Sequence, residues 1–192
     1  MIYIKATKRD EYMQAWKIMW NNNKQAYKDD WRMKHVSPSR FTKTSTEIDE
    51  FCVVAYEKIE NQEDKPIGVF GMALLKTGRL LGKQIVSDPN YRGIGLGQAL
   101  ILTNESQVKE YTNCQNYIIS CLDTTARIYD KFGVTPLSEA KNSHNGIPYG
   151  IKYLVPLYRE NFDKQYSSIL KRFKTTKDEF FIPLKGQTVY KF

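Results

Sequence analysis

Apolar and polar positions along the chain change period several times, and each change marks an element. Residues 1–6 alternate in the manner of an edge strand, whereas Tyr12, Trp16 and Trp20 follow Lys8-Arg9-Asp10-Glu11 at every fourth position, the spacing of one helix face. Asn21-Asn22-Asn23 predicts the end of that helix, and a second helical stretch over residues 24–34 carries Tyr27 and Trp31 before the Ser37-Pro38-Ser39 loop. Phe51–Glu60 and Ile67–Lys76 read as two strands of a long hairpin around the polar turn from Asn61 to Pro66, and a third strand covers Leu80–Ser87. After Asp88-Pro89-Asn90 a glycine-rich turn leads into a helix over Leu96–Tyr111, a strand over Asn116–Leu122, and a short helix capped by Asp123 or Thr124 and stopped at Gly133. Two more strands, Val134–Ala140 and Tyr149–Leu157, flank the polar turn Asn142–Gly146, where Asn145-Gly146 favours a tight reversal. Past residue 157 the stripe of Phe162, Tyr166, Ile169, Leu170 and Phe173 predicts an amphipathic helix, and Phe180-Phe181-Ile182 and Val189-Tyr190 predict short strands.

This order describes one α/β (α+β) domain over residues 1–157 and an extension over 158–192. At 192 residues, 41% apolar and 13% aromatic, the chain can fill one core and is short for two ordinary domains. It has no run of eighteen apolar residues, and charges follow a four-residue apolar start, so a cytoplasmic protein with no membrane partner is expected. Cys52, Cys114 and Cys121 are odd in number and widely spaced, which fits reduced thiols; without a Cys-x-x-Cys pair, and with His35 far from His144, no metal site is expected. The net charge of +8 divides as +3 over residues 1–50, +1 over 51–157 and +4 over 158–192. Such ends either attract a polyanion or form a solvated surface, and Lys (21) outnumbering Arg (8) favours the second.

The segment from Ile85 to Gly97 runs strand, turn, glycine cluster and helix, an order suited to anion binding. Glycines let successive N–H groups converge, and the helix adds unpaired donors and its positive dipole end. A dinucleotide fingerprint is excluded because Gln98 stands where its third glycine would be, and no Gly-Lys-Ser/Thr is present for a Walker loop. What the segment matches is Arg/Gln-x-x-Gly-x-Gly/Ala, with Arg92, Gly95 and Gly97 in place, and here the chain resembles the GCN5-related N-acetyltransferases (GNAT). A second block, Ala126-Arg127-Ile128-Tyr129-Asp130-Lys131-Phe132-Gly133-Val134, is similar to that family's helix after the fifth strand, although Asp123 stands where the family often has asparagine. The resemblance covers roughly residues 1–157 and leaves the extension outside it.

The resemblance implies a mixed, mostly antiparallel central sheet flanked by helices. It also implies acetyl-CoA or another acyl-CoA as co-substrate, held by Arg92, Gly93, Ile94, Gly95, Leu96 and Gly97. A backbone N–H near Ile85 or Val86 would face the thioester carbonyl, and Tyr129 would be the proton donor, unless it is a packed aromatic. No acid lies in the third strand to act as general base, and Cys121 reads as an inert buried thiol, which favours direct transfer. The expected acceptor is a primary amine of a small molecule or protein, with the acidic segment Glu47-Ile48-Asp49-Glu50 as a candidate rim. A nucleic-acid base, nucleotide or charged tRNA is the alternative, served by a basic ridge of Arg159, Lys164, Lys171, Arg172, Lys174 and Lys177; a non-catalytic acyl-CoA-binding module is the second alternative. The Tyr12, Trp16, Trp20, Tyr27 and Trp31 series reads as core packing before it reads as a stacking wall. The stripe of the extension must pack on the core or on a second subunit, the latter giving a homodimer.

Overall fold

The computed structural model describes residues 1–40, 42–138, 140 and 142–192, with the Arg40 side chain outside the description. Among these residues one sheet runs through the molecule in the order β6-β8-β5-β4-β3-β2-β1-β9, with β7 paired to β8. Its strands are β1 Ile2–Thr7, β2 Glu47–Glu57, β3 Lys65–Leu75, β4 Leu80–Ser87, β5 Asn116–Leu122, β6 Pro136–Ser138, β7 Asn142–His144, β8 Ile147–Pro156 and β9 Phe181–Ile182. Parallel pairing occurs at β4 with β5 and at β1 with β9, and the other pairs are antiparallel. The helices are α1 Arg9–Asn22, α2 Lys24–Asp29, α3 Leu96–Tyr111, α4 Asp123–Lys131, α5 Phe162–Phe173 and α6 Lys177–Phe180. None is long and apolar enough among the described residues to cross a membrane.

Each face of the sheet carries its own apolar cluster. Tyr12, Trp16, Met19 and Tyr27 of α1 and α2 pack on Cys52, Val54 and Val69, while Leu96, Leu100 and Leu102 of α3 pack on the other side with Phe51, Val53 and Phe70. Alternation along β3 makes both contacts possible. Gly68 and Gly71 face opposite sides, and a Cβ at Gly68 would lie 2.9 Å from Leu100 Cδ1, so the missing side chain lets α3 seat closely.

The extension packs on this core. Phe162, Tyr166 and Ile169 of α5 are buried beside α3, a burial contributing about 1.5–3 kcal/mol each for Phe162 and Ile169. Arg159 pairs with Glu105 of α3 at 2.6 Å, and Thr176 and Glu179 form a capping box at the start of α6. The chain end returns to the core, where Tyr190 bridges Thr112 and Asn113 donates to the Phe192 carbonyl at 3.0 Å.

Several boundaries differ from the sequence expectations. The helical stretch over 24–34 divides at Asp30, whose extended backbone separates α2 from a 3-10 turn at Trp31–His35 and whose carboxylate accepts from the Arg32 N–H. β2 begins at Glu47 rather than Phe51, because its acidic residues find partners in Lys83, Arg9 and Gln187. The expected turn Asn142–Gly146 is itself half of a hairpin, β7 and β8, reversing at Asn145 and Gly146, both at positive φ. Of the expected strand Val134–Ala140, Pro136–Ser138 is strand and Glu139 lies outside the described residues. Phe180 ends a helical turn rather than starting a strand, and Tyr190 makes one bridge in place of a strand.

Candidate active site

β4 and β5 hydrogen-bond through two residue pairs, Leu80 with Tyr117 and Leu81 with Ile118, and the pairing goes no further. The cause lies on β4. Phe70 pairs with Ile85 and Met72 with Gly82, so Lys83 and Gln84 together face Gly71, a bulge that bends the strand. A Cβ at Gly71 would lie in van der Waals contact with the Tyr12 phenol at 3.4 Å, and that phenol donates to the Gln84 carbonyl at 3.2 Å. Tyr27 donates to the Ser87 carbonyl at 3.1 Å. Two aromatic residues of α1 and α2 therefore hold the diverging strand by their hydroxyls while their rings fill the core. Between β4, β5 and the starts of α3 and α4 opens a cleft of about 590 Å³.

The glycine turn forms one end of this cleft. Asp88 accepts from the Asn90 N–H at 2.9 Å, and Gly93 and Gly95 take φ of +85° and +92°, which places Gly95 as the left-handed N-cap of α3. The N-cap Gly95 has no side chain with which to cap α3, which leaves first-turn N–H groups as donors at the cleft. Gly97 serves packing instead, because a Cβ there would stand 2.9 Å from Ile128 Cδ1, and its absence lets α4 approach α3. Of the residues expected to hold the co-substrate, Ile85, Val86, Arg92, Gly93, Gly95, Leu96 and Gly97 line the cleft, while Ile94 is 38% exposed outside it. Open space beside Gly93 and the positive φ values make a cradle that suits a phosphate group.

Charge in the cleft is mostly basic. Among the described residues its one lining acid is Asp30, held between Arg32 at 3.4 Å and Arg92 at 3.2 Å. Arg32 also grips Asp123 through two hydrogen bonds of 2.7 and 3.0 Å, and those bonds, assisted by its charge, hold the Asp123 carboxyl below the usual range against the effect of burial. Lys83 pairs with Glu47.

Tyr129, expected as the proton donor, is fully buried and does not line the cleft. α4 turns Asp123, Ala126 and Tyr129 inward and gives Thr124, Thr125, Arg127, Ile128 and Lys131 to the cleft. The Tyr129 hydroxyl meets that of Tyr117 at 2.9 Å, Tyr117 donates to Glu105 at 2.8 Å, and Glu105 meets Arg159. Rings of Tyr117, Phe132 and Tyr153 surround it, and burial, reinforced by nearby Cys121 and Glu105, raises its phenol well above the usual value. Cys121 does line the cleft, and burial pushes its thiol up, which disfavours the thiolate.

The acceptor features also shift. Glu47 is occupied by Lys83, Glu50 by Arg9, and Asp49 by the Gln187 amide, so the acidic segment is the partnered start of β2 rather than an open rim. Tyr12, Trp16 and Tyr27 are buried, as core packing requires, and Trp20 stacks on Tyr27 with centroids 4.8 Å apart. Trp31 instead joins His144 at 4.6 Å and Tyr149 at 5.4 Å, tying the 3-10 turn to the β7–β8 hairpin. The expected basic ridge loses Arg159, buried against Glu105, and Arg172, which lines the cleft beside Gly95. That place for Arg172 had no local signature, since it depends on how α5 docks.

Solved structures share this architecture. The ribosomal-protein-S18-alanine N-acetyltransferase from Escherichia coli superposes with a TM-score of 0.56 at 15% identity, covering 84% of this chain and 98% of that one. An acetyltransferase of the GNAT family from Staphylococcus aureus superposes with a TM-score of 0.53 at 15% identity, over 82% and 99%. An IAA acetyltransferase from Bacillus cereus gives 0.52 at 14% identity, over 81% and 99%. No family model matches the chain, and no curated protein matches it in sequence. The chain thus has the GNAT fold, as the glycine turn and the α4 block implied.

Proposed function

We propose that the protein is an acyl-CoA-dependent N-acyltransferase that moves an acetyl or related group directly to a primary amine of a small molecule or protein. The observation that carries this reading is the parting of β4 from β5 beside the uncapped, glycine-lined start of α3. Acyl-CoA would supply the activated thioester. The loop from Arg92 to Gly97 would hold its diphosphate, and the bulged strand, with Ile85 and Val86 on the cleft wall, would offer backbone donors to the carbonyl oxygen. In the transfer the amine nitrogen bonds to the acyl carbon, the carbon–sulfur bond breaks, one proton leaves nitrogen and one reaches sulfur. The high thiol pKa of Cys121 favours this direct route over an acyl-cysteine. An acceptor amine with a pKa of about 10.4 must lose its proton first, so the rate should rise with pH.

One observation favours a second reading, a non-catalytic acyl-CoA-binding module: the Tyr129 hydroxyl is engaged by Tyr117 outside the cleft. Thiol release from acetyl-CoA with a panel of amines, peptides, nucleosides and tRNA separates the readings. Release dependent on one amine class supports the enzyme and names its acceptor. Calorimetric binding of acetyl-CoA without release from any acceptor supports the module, and absence of binding removes both.

A further inference from the structure

α5 ends at the mouth of the cleft. Its stripe of Phe162, Tyr166 and Ile169 is locked beside α3, and this fixes the last turn of α5 over the first turn of α3. From that last turn Arg172 reaches the glycine loop. A Cβ built on Gly95 would collide with the guanidinium, lying 3.3 Å from its Cζ, and Arg172 Nη1 donates to Gln98 Oε1 at 3.3 Å. The side chain is exposed and lines the same cleft as Arg92, Gly93, Gly95 and Gly97.

Its charge, with that of Lys131, is what the rest of the cleft leaves unbalanced. Six cationic residues line the cavity: Arg32, Lys83, Arg92, Arg127, Lys131 and Arg172. Arg32, Arg92 and Arg127 share Asp30 and Asp123, and Lys83 has Glu47. Among the described residues Lys131 and Arg172 have no carboxylate within ion-pair distance, and Gln98 is neutral. A planar guanidinium set against a glycine cradle and unpaired helix N–H groups is a donor arrangement suited to a phosphate group, and two adjoining phosphates would use both sides.

Resting on the reading of the cleft given above, we propose that Arg172, supplied by the C-terminal extension, is a phosphate-binding residue of the acyl-CoA site that closes on the diphosphate opposite the glycine loop. The extension is then part of the binding site. The bland role for this side chain is a favourable cation at the C-terminal end of α5, which would affect stability and leave ligand affinity alone.

The test is calorimetric titration of the full chain with coenzyme A and with 3′-dephospho-coenzyme A, for the unaltered protein, Arg172→Gln and Arg172→Lys, with thermal midpoints recorded for each. Arg172→Gln is expected to weaken both ligands by about tenfold and to flatten the dependence of affinity on salt, while Arg172→Lys recovers part of the loss because it keeps the charge but not the fork. Equal affinity for Arg172→Gln and the unaltered protein overturns the proposal. A loss seen with coenzyme A and absent with the dephospho form overturns the diphosphate assignment and moves Arg172 to the 3′-phosphate. Should Arg172→Gln fail to fold, the Lys variant decides: affinity and salt slope identical to the unaltered protein for both ligands overturn a guanidinium-specific contact. Failure of the unaltered protein to bind coenzyme A rejects the functional reading itself, a result separate from any Arg172 effect.

Discussion

Arg159 and Glu105 form an ion pair at 2.6 Å with side chains 7% and 0% exposed, joining the first turn of the extension to the middle of α3. Two bonds reach the carboxylate from the guanidinium, at 2.6 and 3.1 Å, and Tyr117 donates a third at 2.8 Å. Removing one member strands the other in the core, at a typical cost of about 3–5 kcal/mol. Arg159→Ala is therefore expected to lower unfolding free energy by about that amount in urea titration. A loss below about 1 kcal/mol would show that the pair is solvated in practice.

Tyr129→Phe is expected to act on stability. The lost hydroxyl removes one hydrogen bond to Tyr117, worth about 1 kcal/mol, while the ring contacts remain. Acyl-CoA affinity should hold, and single-turnover transfer should stay within about twofold. A large fall in the chemical step at unchanged stability would place the hydroxyl in proton transfer after all.

Gly93 and Gly95 should respond differently to alanine. Both have positive φ, a strain of about 1–2 kcal/mol for a residue with a Cβ. Among the described residues, chain neighbours aside, nothing lies within 4 Å of a Cβ built on Gly93, whereas at Gly95 the new carbon meets Arg172. Thermal denaturation should show a modest loss for both, since the exposed Arg172 tip can shift, and calorimetry should show coenzyme A affinity reduced more by Gly95→Ala, about tenfold or more, because its Cβ displaces Arg172 from the loop. Coenzyme A affinity unchanged by Gly95→Ala would mean that Arg172 can leave the loop without loss of the ligand.

The Arg32–Asp123 pair predicts a dependence on acid. Arg32 lowers the Asp123 carboxyl below its unfolded value of about 3.9, so the stabilisation is complete above that value and is lost as pH falls through the folded one. Asp123→Asn should lower stability at pH 7 by about 2 kcal/mol, the worth of hydrogen bonds to a charged group, and the gap to the unaltered protein should narrow below about pH 4. Thermal midpoints of both proteins from pH 3 to 7 check it, and a gap constant over that range would contradict it.

Cys121 should stay unmodified during turnover. Its thiol lines the cleft but is pushed up by burial, so intact-mass analysis after incubation with acetyl-CoA should show no acylated cysteine, and Cys121→Ala should retain transfer. Acylation at Cys121 that is competent to pass to an amine would replace direct transfer with a two-step route.

Local patterns carried most of the framework. The strand Leu80–Ser87, the helix Leu96–Tyr111 and the strand Asn116–Leu122 lie where the periodicity and the turn residues put them, because a glycine or asparagine stands at or just before the start of each. The glycine turn was legible because Gly93 and Gly95 need conformations that the sequence announces. Pairings across the fold were not. Glu47 and Glu50 read as an exposed rim since neither Lys83 nor Arg9 is near them in sequence, and Tyr129 read as reactive because the face it occupies on α4 is set by Tyr117 and Tyr153. Arg172 stands far beyond Gly95 in the chain, and no periodicity within α5 could say what its end would cover.

The two residue pairs that join β4 to β5 also describe a mechanical seam. On one side lie β1 to β4 with β9, on the other β5 to β8, and beyond Leu81 and Ile118 no backbone ladder links the two strands. α3 and α5 lie across that line, with Gln165 of α5 donating to Phe132 at the end of α4 and Arg172 donating to Gln98 at the start of α3. Among the described residues these two pairs are the one backbone link between the halves of the sheet, so the helix that seats the extension acts as a strap over that joint.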